Sequence, residues 1–251
     1  MDYKSIYLNQ KQNDKLDILC FAAHPDDVEL SCSATMIKHR LLGKKIGIID
    51  LTKGELGTRG TPELRLEESK KSSLLMDIQV RINLGLEDGF FEHNQTNLMY
   101  IIEQIRRYQP EIICCNAPTD RHIDHGRAAK LVSEACFLSG LIKINSKWEG
   151  VKQNAHRPKI VMHYIQDRYI EPNFIVDVSD YVVKKMECIK AFNSQFYDAN
   201  SKEPATPISG EEFLEFIISR MSEFGRRIGV RYGEGFVMQR TVGINDFSMI
   251  I

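Results

Sequence analysis

The chain has 251 residues, with 33 Lys and Arg against 34 Asp and Glu, which gives a formal net charge of −1. Because these charges are interleaved along the sequence, it lacks the basic patches that bind nucleic acid, and the expected partner is a small molecule. No apolar run approaches the roughly 18 residues that span a bilayer, and the first 14 residues are polar rather than a signal peptide, so we expect a cytoplasmic protein that does not enter a membrane.

No Gly-, Ser- or Pro-rich linker divides the sequence, and we expect a single domain over residues 1–251. Apolar runs typical of buried strands alternate with stretches of helical periodicity. In chain order, the predicted strands lie at residues 16–23, 44–52, 81–86, 111–118, 159–166 and 174–179, and the predicted helices at residues 28–42, 63–76, 97–109, 124–140, 180–192 and 210–229. Strand–helix–strand repeats of this length predict an α/β fold, a Rossmann-like, doubly wound, mostly parallel sheet with helices on both faces.

The turn between the first strand and the first helix carries a dense group of polar residues. Residues 21–30 read FAAHPDDVEL, so that a His, a Pro and two Asp directly follow the strand. Pro25 suits the first turn of a helix, and acidic side chains are favoured there by the helix dipole. Capping of this kind accounts for one Asp, but it does not require two Asp and a His at the end of a strand.

A second polar group follows the fourth predicted strand. In a doubly wound sheet the strand order reverses beside the first strand, and ligands bind at the carboxyl ends of the two strands that flank this point. In the common order 3-2-1-4, the neighbour of the first strand is the fourth. The residues after the fourth strand read NAPTDRHIDHGRAA, which places His122, Asp124 and His125 at the start of a helix and beside the first group.

The two groups together predict a metal site. Two His and one carboxylate with an open fourth position are typical of catalytic zinc, which lowers the pKa of a bound water to around 7. We choose His24, Asp27 and His125 as ligands of one Zn²⁺ per chain. The residues alone leave two alternatives open. One is His122 in place of His125, and the other is Fe²⁺ or another first-row ion in place of zinc.

The remaining side chains of the two groups suit acid–base roles. Asp26 lies beside the predicted metal position and is the candidate general base for the attacking water. His122 precedes His125 by about one helical turn. If Asp124 keeps it protonated, His122 can stabilise the oxyanion of a tetrahedral intermediate. Asp124 then acts by orienting its neighbours and balancing their charge.

These residues resemble the two motifs of the PIG-L/LmbE family of metal-dependent de-N-acetylases. The first family motif, AHPDD followed one residue later by Glu, is matched by residues 23–27 and Glu29. The second, His-x-Asp-His, is matched by residues 122–125. The resemblance implies an N-acetylglucosamine conjugate as substrate. It also implies zinc on His24, Asp27 and His125, Asp26 as general base, and His122 at the oxyanion.

The resemblance extends to one branch of this family, the bacillithiol-biosynthesis deacetylases that act on N-acetylglucosaminyl malate. Outside the two motifs it rests on the stretches DLTKGELGTRGTPELRLEES, NLGLEDGFFEHN, QDRYIEPNFIVDVSD, SQFYDANSKEPATPISG and FGRRIGVRYGEGFV. It implies a homo-oligomeric enzyme that releases acetate and glucosaminyl malate.

Two other functions compete with this one. Hydrolysis of a bacillithiol S-conjugate at its amide uses the same residues with a different pocket. A non-catalytic module that binds a sugar or nucleotide belongs to another class. Against the module, the first turn lacks GxGxxG, and its two adjacent Asp would repel a phosphate.

Substrate-binding residues are expected at the same edge of the sheet. By resemblance, Arg65 and Asp88 hold the sugar hydroxyls. Arg59 and Arg157 are further candidates, because the guanidinium fork suits the carboxylates of malate. Each of these two is as readily a solvated or salt-bridged surface residue. Glu234, between two Gly, either lines the pocket or shapes a turn or an edge strand.

Overall fold

The computed structural model of the chain describes residues 5–7 and 15–251. Its strands are β1 (Ser5–Tyr7), β2 (Ile18–Ala22), β3 (Ile46–Thr52), β4 (Val80–Leu86), β5 (Ile112–Cys115), β6 (Lys147–Trp148), β7 (Val151–Lys152), β8 (Ile160–Tyr164), β9 (Phe174–Asp177) and β10 (Gly233–Met238). Its α-helices are α1 (Asp27–Leu41), α2 (Pro62–Leu75), α3 (Gln95–Tyr108), α4 (Ile123–Leu138), α5 (Val182–Lys190) and α6 (Glu211–Arg227). The polar segment 1–14, in which no signal peptide is expected, lies outside the described residues apart from 5–7. Within the described ranges, no helix has the length and apolar character needed to cross a membrane.

The main sheet has eight strands in the order β1-β4-β3-β2-β5-β8-β10-β9, and β6 and β7 form a separate pair. β2 pairs in parallel with β3 and β5, and parallel pairing continues from β3 to β4 and from β5 to β8. The pairs made by β1 and β10 are antiparallel. The predicted α/β class and mostly parallel sheet are therefore confirmed. The predicted order 3-2-1-4 corresponds to β4-β3-β2-β5.

The core lies in two layers, one on each face of the sheet. Along β2, Leu19 and Phe21 belong to the layer that includes α3 and α4, whereas Ile18, Cys20 and Ala22 belong to the layer that includes α1. This alternation follows from the two-residue period of a strand, and burial on both faces explains why the run is apolar throughout. The polar residues that follow β2 are thereby placed at the carboxyl edge of the sheet.

Glu234 lies on β10, which is an internal strand, so the expectation of a turn or an edge strand is wrong. β10 runs between β8 and β9 and is antiparallel to both. Glu234 is buried there and accepts hydrogen bonds of 2.6 Å from Lys185 Nζ and from the Thr35 hydroxyl. It therefore joins α1 and α5 to the sheet instead of lining a pocket. Gly233 fits this strand because a Cβ there would lie 2.5 Å from Ile175 Cγ2.

A buried group of three charges holds the start of α1 against the sheet. Arg81 of β4 donates to Asp50 of β3 through Nε at 2.8 Å and to Glu29 of α1 through Nη1 at 2.6 Å. All three residues are at most 2% exposed. Glu29, the acidic residue that follows the AHPDD motif, thus has a structural partner beneath the turn that carries the motif.

Candidate active site

Both predicted groups of polar residues lie at the same edge of the sheet. His24 follows β2, and His122 is the N-cap residue of α4, just after β5. Because β2 and β5 are hydrogen-bonded neighbours, their carboxyl ends meet. The ring centroids of His24 and His122 are 4.5 Å apart, and those of His24 and His125 are 5.5 Å apart. Residues about a hundred positions apart in the sequence therefore form one site, as the predicted strand order requires.

Helix capping does not account for the two adjacent Asp residues. Asp26 is the N-cap residue of α1, but its side chain makes no capping hydrogen bond. Its Oδ2 instead accepts a hydrogen bond of 2.7 Å from Arg65 Nη2. Asp27 Oδ2 accepts from the backbone N–H of His24 at 2.9 Å, which fixes the turn, and Asp27 Oδ1 lies 3.1 Å from His125 Nε2. Both carboxylates are therefore directed into the site.

The three predicted metal ligands face one another. His125 Nε2 lies 3.1 Å from Asp27 Oδ1, and His24 Nδ1 lies 3.8 Å from Asp27 Oδ2. The other nitrogen of each ring is held by a carboxylate: His24 Nε2 by Asp88 at 3.0 Å, and His125 Nδ1 by Asp120 at 2.6 Å. In metal sites a ligand His commonly has its second nitrogen held in this way, which orients the ring and sets its tautomer. The residues present therefore fit a divalent ion with N and O ligands.

Other donors surround the same point. Within the described part of the chain, two groups of three residues have donor atoms that all lie within 4.8 Å of one another, namely His24 with His122 and His125, and His24 with Asp88 and Asp124. Asp27 belongs to neither group, although it contacts both predicted ligand imidazoles. The ligand set of His24, Asp27 and His125 stays a prediction, and so does the alternative in which His122 replaces His125.

Three residues that support this geometry were not singled out from the sequence. Asn116 Nδ2 donates to Asp27 Oδ2 at 2.8 Å, and Gln166 Nε2 donates to Asp27 Oδ1 at 3.1 Å. The two carboxamides also bond to each other, at 3.1 Å. Both lie just beyond the ends of apolar strands, β5 and β8, which is the sequence signal that marks them. Asp120, which holds His125, is marked only by its closeness to the second motif.

Arg65 and Asp88 line the cavity, but their contacts differ from those that the resemblance implies. Arg65 donates to Asp26 and, at 3.3 Å, to the carbonyl oxygen of Gly54, and its Nε is buried without a hydrogen-bond partner. Asp88 uses one oxygen for His24 and the other for the backbone N–H of Leu56 at 2.9 Å. In the structure these two residues position the candidate base and a candidate ligand.

The expectation that Asp124 keeps His122 protonated is wrong. Asp124 Oδ2 accepts a hydrogen bond of 2.7 Å from the backbone N–H of Gly89 and lies 3.6 Å from His24 Nε2. His122 Nδ1 itself accepts a hydrogen bond of 3.3 Å from the backbone N–H of Asp124. Burial and the neighbouring charges of His24 and His125 lower the pKa of His122. His122 is therefore a neutral imidazole with its proton on Nε2.

The carboxylates of the site raise the pKa values of the two predicted ligand imidazoles. Burial lowers the pKa of His24, but hydrogen bonds to Asp124 and Asp88 and the charge of Asp27 outweigh it, and the pKa rises to about 10. Burial of His125 is likewise outweighed, chiefly by the charge of Asp27, and its pKa rises to about 9. A pocket that stabilises two imidazolium charges in this way also favours a divalent cation.

An open cavity leads from these residues to solvent. One side is formed by the two polar groups, and the opposite side by apolar residues of α6 and the loop before it, namely Pro207, Ile208, Phe213 and Ile217. Three arginines reach the cavity, namely Arg65, Arg121 and Arg220. The cavity therefore combines a polar reaction site with an apolar wall and several positive charges.

Arg59 and Arg157 do not line this cavity. Arg59 is buried and donates to Ser201 Oγ at 2.5 Å, so it holds the loop before α6. Arg157 donates to the carbonyl oxygen of Phe137, in the last turn of α4 and at the opposite end of that helix from His122. The predicted contacts of these two arginines with substrate are therefore not supported.

Comparison with known proteins adds a family to this geometry. The PIG-L family model, described as GlcNAc-PI de-N-acetylase, matches residues 19–136, which include both motifs. Over its full length the chain is 27% identical to diacetylchitobiose deacetylase of Thermococcus kodakarensis, and the match covers 93% of that protein. The crystal structure of the conserved protein TT1542 from Thermus thermophilus is 31% identical and superposes with a TM-score of 0.82. The match covers 92% of this chain and 98% of that one.

The fold also occurs in an enzyme with a different reaction. GalB, the 4-carboxy-2-hydroxymuconate hydratase of Pseudomonas putida KT2440, superposes with a TM-score of 0.74 at 17% identity, over 92% of this chain and 98% of that one. At this identity the likeness concerns the fold alone. The reaction must therefore be argued from the residues of the site.

Proposed function

The chain belongs to the PIG-L family, and on that premise we propose that it is a metal-dependent hydrolase that removes the acetyl group from the nitrogen of an N-acetylglucosamine conjugate. The observation that carries this proposal is the orientation of His24 and His125, each of which turns one nitrogen to a supporting carboxylate and the other to Asp27. The family model that spans both motifs is described as a de-N-acetylase, which agrees with amide hydrolysis at such a site.

The proposed ion is Zn²⁺, held by His24, Asp27 and His125. When bound, it would polarise the amide carbonyl and lower the pKa of water. Asp88 and Asp120 keep the outer nitrogens of the two rings engaged, and Asn116 and Gln166 hold the Asp27 carboxylate. The chain thus fixes its ligands before the ion arrives, which reduces the ordering that binding requires.

Asp26 is the proposed general base. It accepts a proton from the water whose oxygen attacks the amide carbon, and it returns that proton to the nitrogen as the C–N bond breaks. Acetate and a free amine remain. Arg65 holds the Asp26 carboxylate through a 2.7 Å hydrogen bond, so the base faces the cavity in one orientation. Asp26 is 4% exposed, which limits competition from bulk water.

His122 is the proposed donor to the oxyanion of the tetrahedral intermediate. Its Nδ1 accepts a backbone hydrogen bond, so the Nε2–H is available to donate. A neutral donor is sufficient for this role, because a preorganised hydrogen bond in a partly buried site stabilises negative charge as it develops. Asp124 holds His24 and the backbone of Gly89, and thereby the spacing of the two loops.

We further propose N-acetylglucosaminyl malate as the substrate, in bacillithiol biosynthesis. The stretches that resemble this branch and the positive charges of the cavity support a conjugate with carboxylates. Diacetylchitobiose is the alternative that the Thermococcus relative favours. An amide of a bacillithiol S-conjugate is the other alternative, since it uses the same reacting groups.

Acetate release by the zinc-loaded protein tests the function and the substrate together. The substrates are N-acetylglucosaminyl malate, diacetylchitobiose and free N-acetylglucosamine, each assayed before chelation, after chelation and after zinc is restored. We expect metal-restored release that is fastest from the malate conjugate. Release from diacetylchitobiose alone would keep the reaction and replace the substrate. No release from any substrate by protein with stoichiometric metal would contradict the proposed function.

A further inference from the structure

The arginines that line the cavity differ in how their charges are balanced. Arg65 pairs with Asp26 at 2.7 Å, and Arg121 pairs with Asp167 at 2.6 Å. Arg220, in the middle of α6, forms no ion pair with any carboxylate among residues 15–251. Its guanidinium is buried, and the burial lowers the pKa of Arg220. A desolvated cation without an adjacent negative charge is costly, so this arrangement requires an explanation.

Arg220 is held close to the predicted ligands. It donates to the carbonyl oxygen of Gln166, whose side chain in turn donates to Asp27. Its Nη2 donates at 2.9 Å to the carbonyl oxygen of Leu30, which lies about one turn after Asp27 on α1. Two neutral acceptors thus fix the guanidinium beside the reacting position but leave its charge uncompensated. Such a residue is suited to complete its charge balance with a bound anion.

The wall around Arg220 strengthens that interaction. Phe213 and Ile217, on the same helix, line the cavity next to it. An apolar wall lowers the local dielectric, so an ion pair formed there is worth more than one in water. The carboxylates of Glu234, Asp167 and Asp120 raise the pKa of Arg220 from a distance, but they contact other groups instead.

The chemistry of the substrate determines which group reaches this wall. In a 2-acetamido sugar, the nitrogen on C2 and the oxygen on C1 are on neighbouring carbons. A sugar whose acetyl group lies at His24, Asp27 and His125 therefore directs its C1 substituent to a nearby wall. We propose that Arg220 binds an anionic group on that substituent, a carboxylate or a phosphate, and so selects anionic over neutral conjugates. The inference rests on the proposed function, because it assigns part of the same cavity to the aglycone.

Binding of products, which cannot be turned over, separates this inference from the reaction itself. The ligands are glucosaminyl malate, glucosamine 1-phosphate and the neutral methyl glucosaminide, titrated by calorimetry into zinc-loaded protein. The variants are Arg220→Gln, which removes the charge, and Arg220→Lys, which keeps the charge but loses the fork. Arg227→Gln is the matched control, because it removes a cation from the same helix at an exposed ion pair with Glu171.

We expect Arg220→Gln to raise the Kd of at least one anionic ligand by about 10- to 100-fold. The Kd of methyl glucosaminide should change by less than about threefold, and Arg227→Gln should change no Kd by more than this. The anion with the larger effect identifies the group that Arg220 binds. If Arg220→Gln does not fold, as judged by thermal melting, the same selective loss is expected in Arg220→Lys, at smaller magnitude.

An equal rise in Kd for anionic and neutral ligands would overturn the inference, because it would assign Arg220 a structural role as a link between α6, β8 and α1. No change in any Kd would overturn it as well, and so would the absence of anionic-ligand binding by the unsubstituted protein. Acetate release is recorded separately. Selective product binding without any acetate release would support the assignment of Arg220 while contradicting the proposed reaction.

Discussion

Asp26 and Asp27 are adjacent in the sequence, yet their carboxylates have different partners. Asp26 is the last residue before α1 and Asp27 is the first residue within it, so their side chains leave the backbone in different directions. One meets Arg65, and the other meets His125 and two carboxamides. The same chemical group can therefore serve as a base at one position and as a ligand at the next.

Asp26→Asn tests this division of roles. The amide cannot accept the proton of the attacking water, so kcat should fall by about 10²- to 10⁴-fold. Bound zinc, measured by elemental analysis, should stay stoichiometric, because the ligand set is untouched. The control is Asp77→Asn, which removes an exposed carboxylate that pairs with Arg40 and should leave both quantities unchanged. Loss of zinc together with activity would place Asp26 among the ligands and contradict the assignment.

Metal binding should release protons, because the pKa values of His24 and His125 are about 10 and about 9. At pH 7 both rings are protonated without a metal ion, and each must lose its proton to become a ligand. We expect release of about two protons per Zn²⁺ at pH 7, and an apparent affinity that rises with pH up to these pKa values. Calorimetry in buffers of different ionisation enthalpy counts the protons.

Asp120→Asn provides the comparison for this experiment. The hydrogen bond from Asp120 helps to raise the pKa of His125, so the variant should release fewer protons at the same pH. Binding of zinc without proton release by the unsubstituted chain would contradict the assignment of the two rings as ligands.

At the scale of residues, the sequence was sufficient to place His24, Asp27 and His125 in one site. That success came from strand order, since the two motifs are far apart in the chain but follow neighbouring strands. Asn116 and Gln166 were missed because an amide at the end of a strand has no spacing rule that distinguishes it from any other polar residue. The protonation of His122 was mistaken because it depends on which atom Asp124 faces, and spacing does not determine that.

At the scale of elements, the turn after β2 is supported by the charges beneath it. Arg81, on β4, binds carboxylates from β3 and α1 at once, and all of these groups are buried. The pair tendencies of surface charges do not apply here, because removal of one partner leaves uncompensated charge in the core. The position of α1, and with it Asp27, therefore depends on a residue that does not contact the cavity.

Arg81→Met should lower the free energy of unfolding by about 3–5 kcal/mol, because Asp50 and Glu29 lose their shared cation. Urea unfolding followed by circular dichroism measures the change. The matched control is Lys159→Met, which removes a cation from an exposed pair with Glu111 and should cost less than about 1 kcal/mol. Equal effects of the two substitutions would mean that the buried group does not stabilise the fold.

The elements with clear periodicity were predicted well, and those without it were not. The six predicted helices each overlap an observed one, whereas β10 was overlooked as a strand. Its sequence, GEGFVM, begins with a charged residue between two Gly, a composition that disfavours strands. The structure explains the composition by close packing against Ile175 and by the buried pairing of Glu234 with Lys185. Such tertiary contacts override local propensity.

At the scale of the whole molecule, the parallel sheet and its reversal point were predictable, but the far wall of the cavity was not. The apolar stretch that became α6 indicated packing without saying against what. In the structure, Ile217 and Met221 lie in a core cluster with α5, while Phe213 faces the cavity. Amphipathic periodicity identifies a buried face, and its partner follows only from the complete fold.

The homo-oligomer implied by the resemblance stays a prediction at this scale. Several apolar residues near the end of the chain are exposed, among them Phe247 at 86%, Ile250 at 61% and Ile251 at 71%. Exposed apolar residues grouped in this way are typical of interfaces. Light scattering should give a multiple of 28.9 kDa, and Phe247→Ser should shift the distribution toward smaller species. A monomer at all concentrations would contradict the prediction.

The central claim is that His24, Asp27 and His125 hold the ion at which the reaction occurs, and its most direct test is anomalous diffraction at the zinc absorption edge. Crystals of protein with one zinc per chain by elemental analysis are required. The account predicts one strong anomalous peak, bounded by His24 Nδ1, the Asp27 carboxylate and His125 Nε2. A peak between Asp88 and Asp124, or one on His122 without His125, would contradict it.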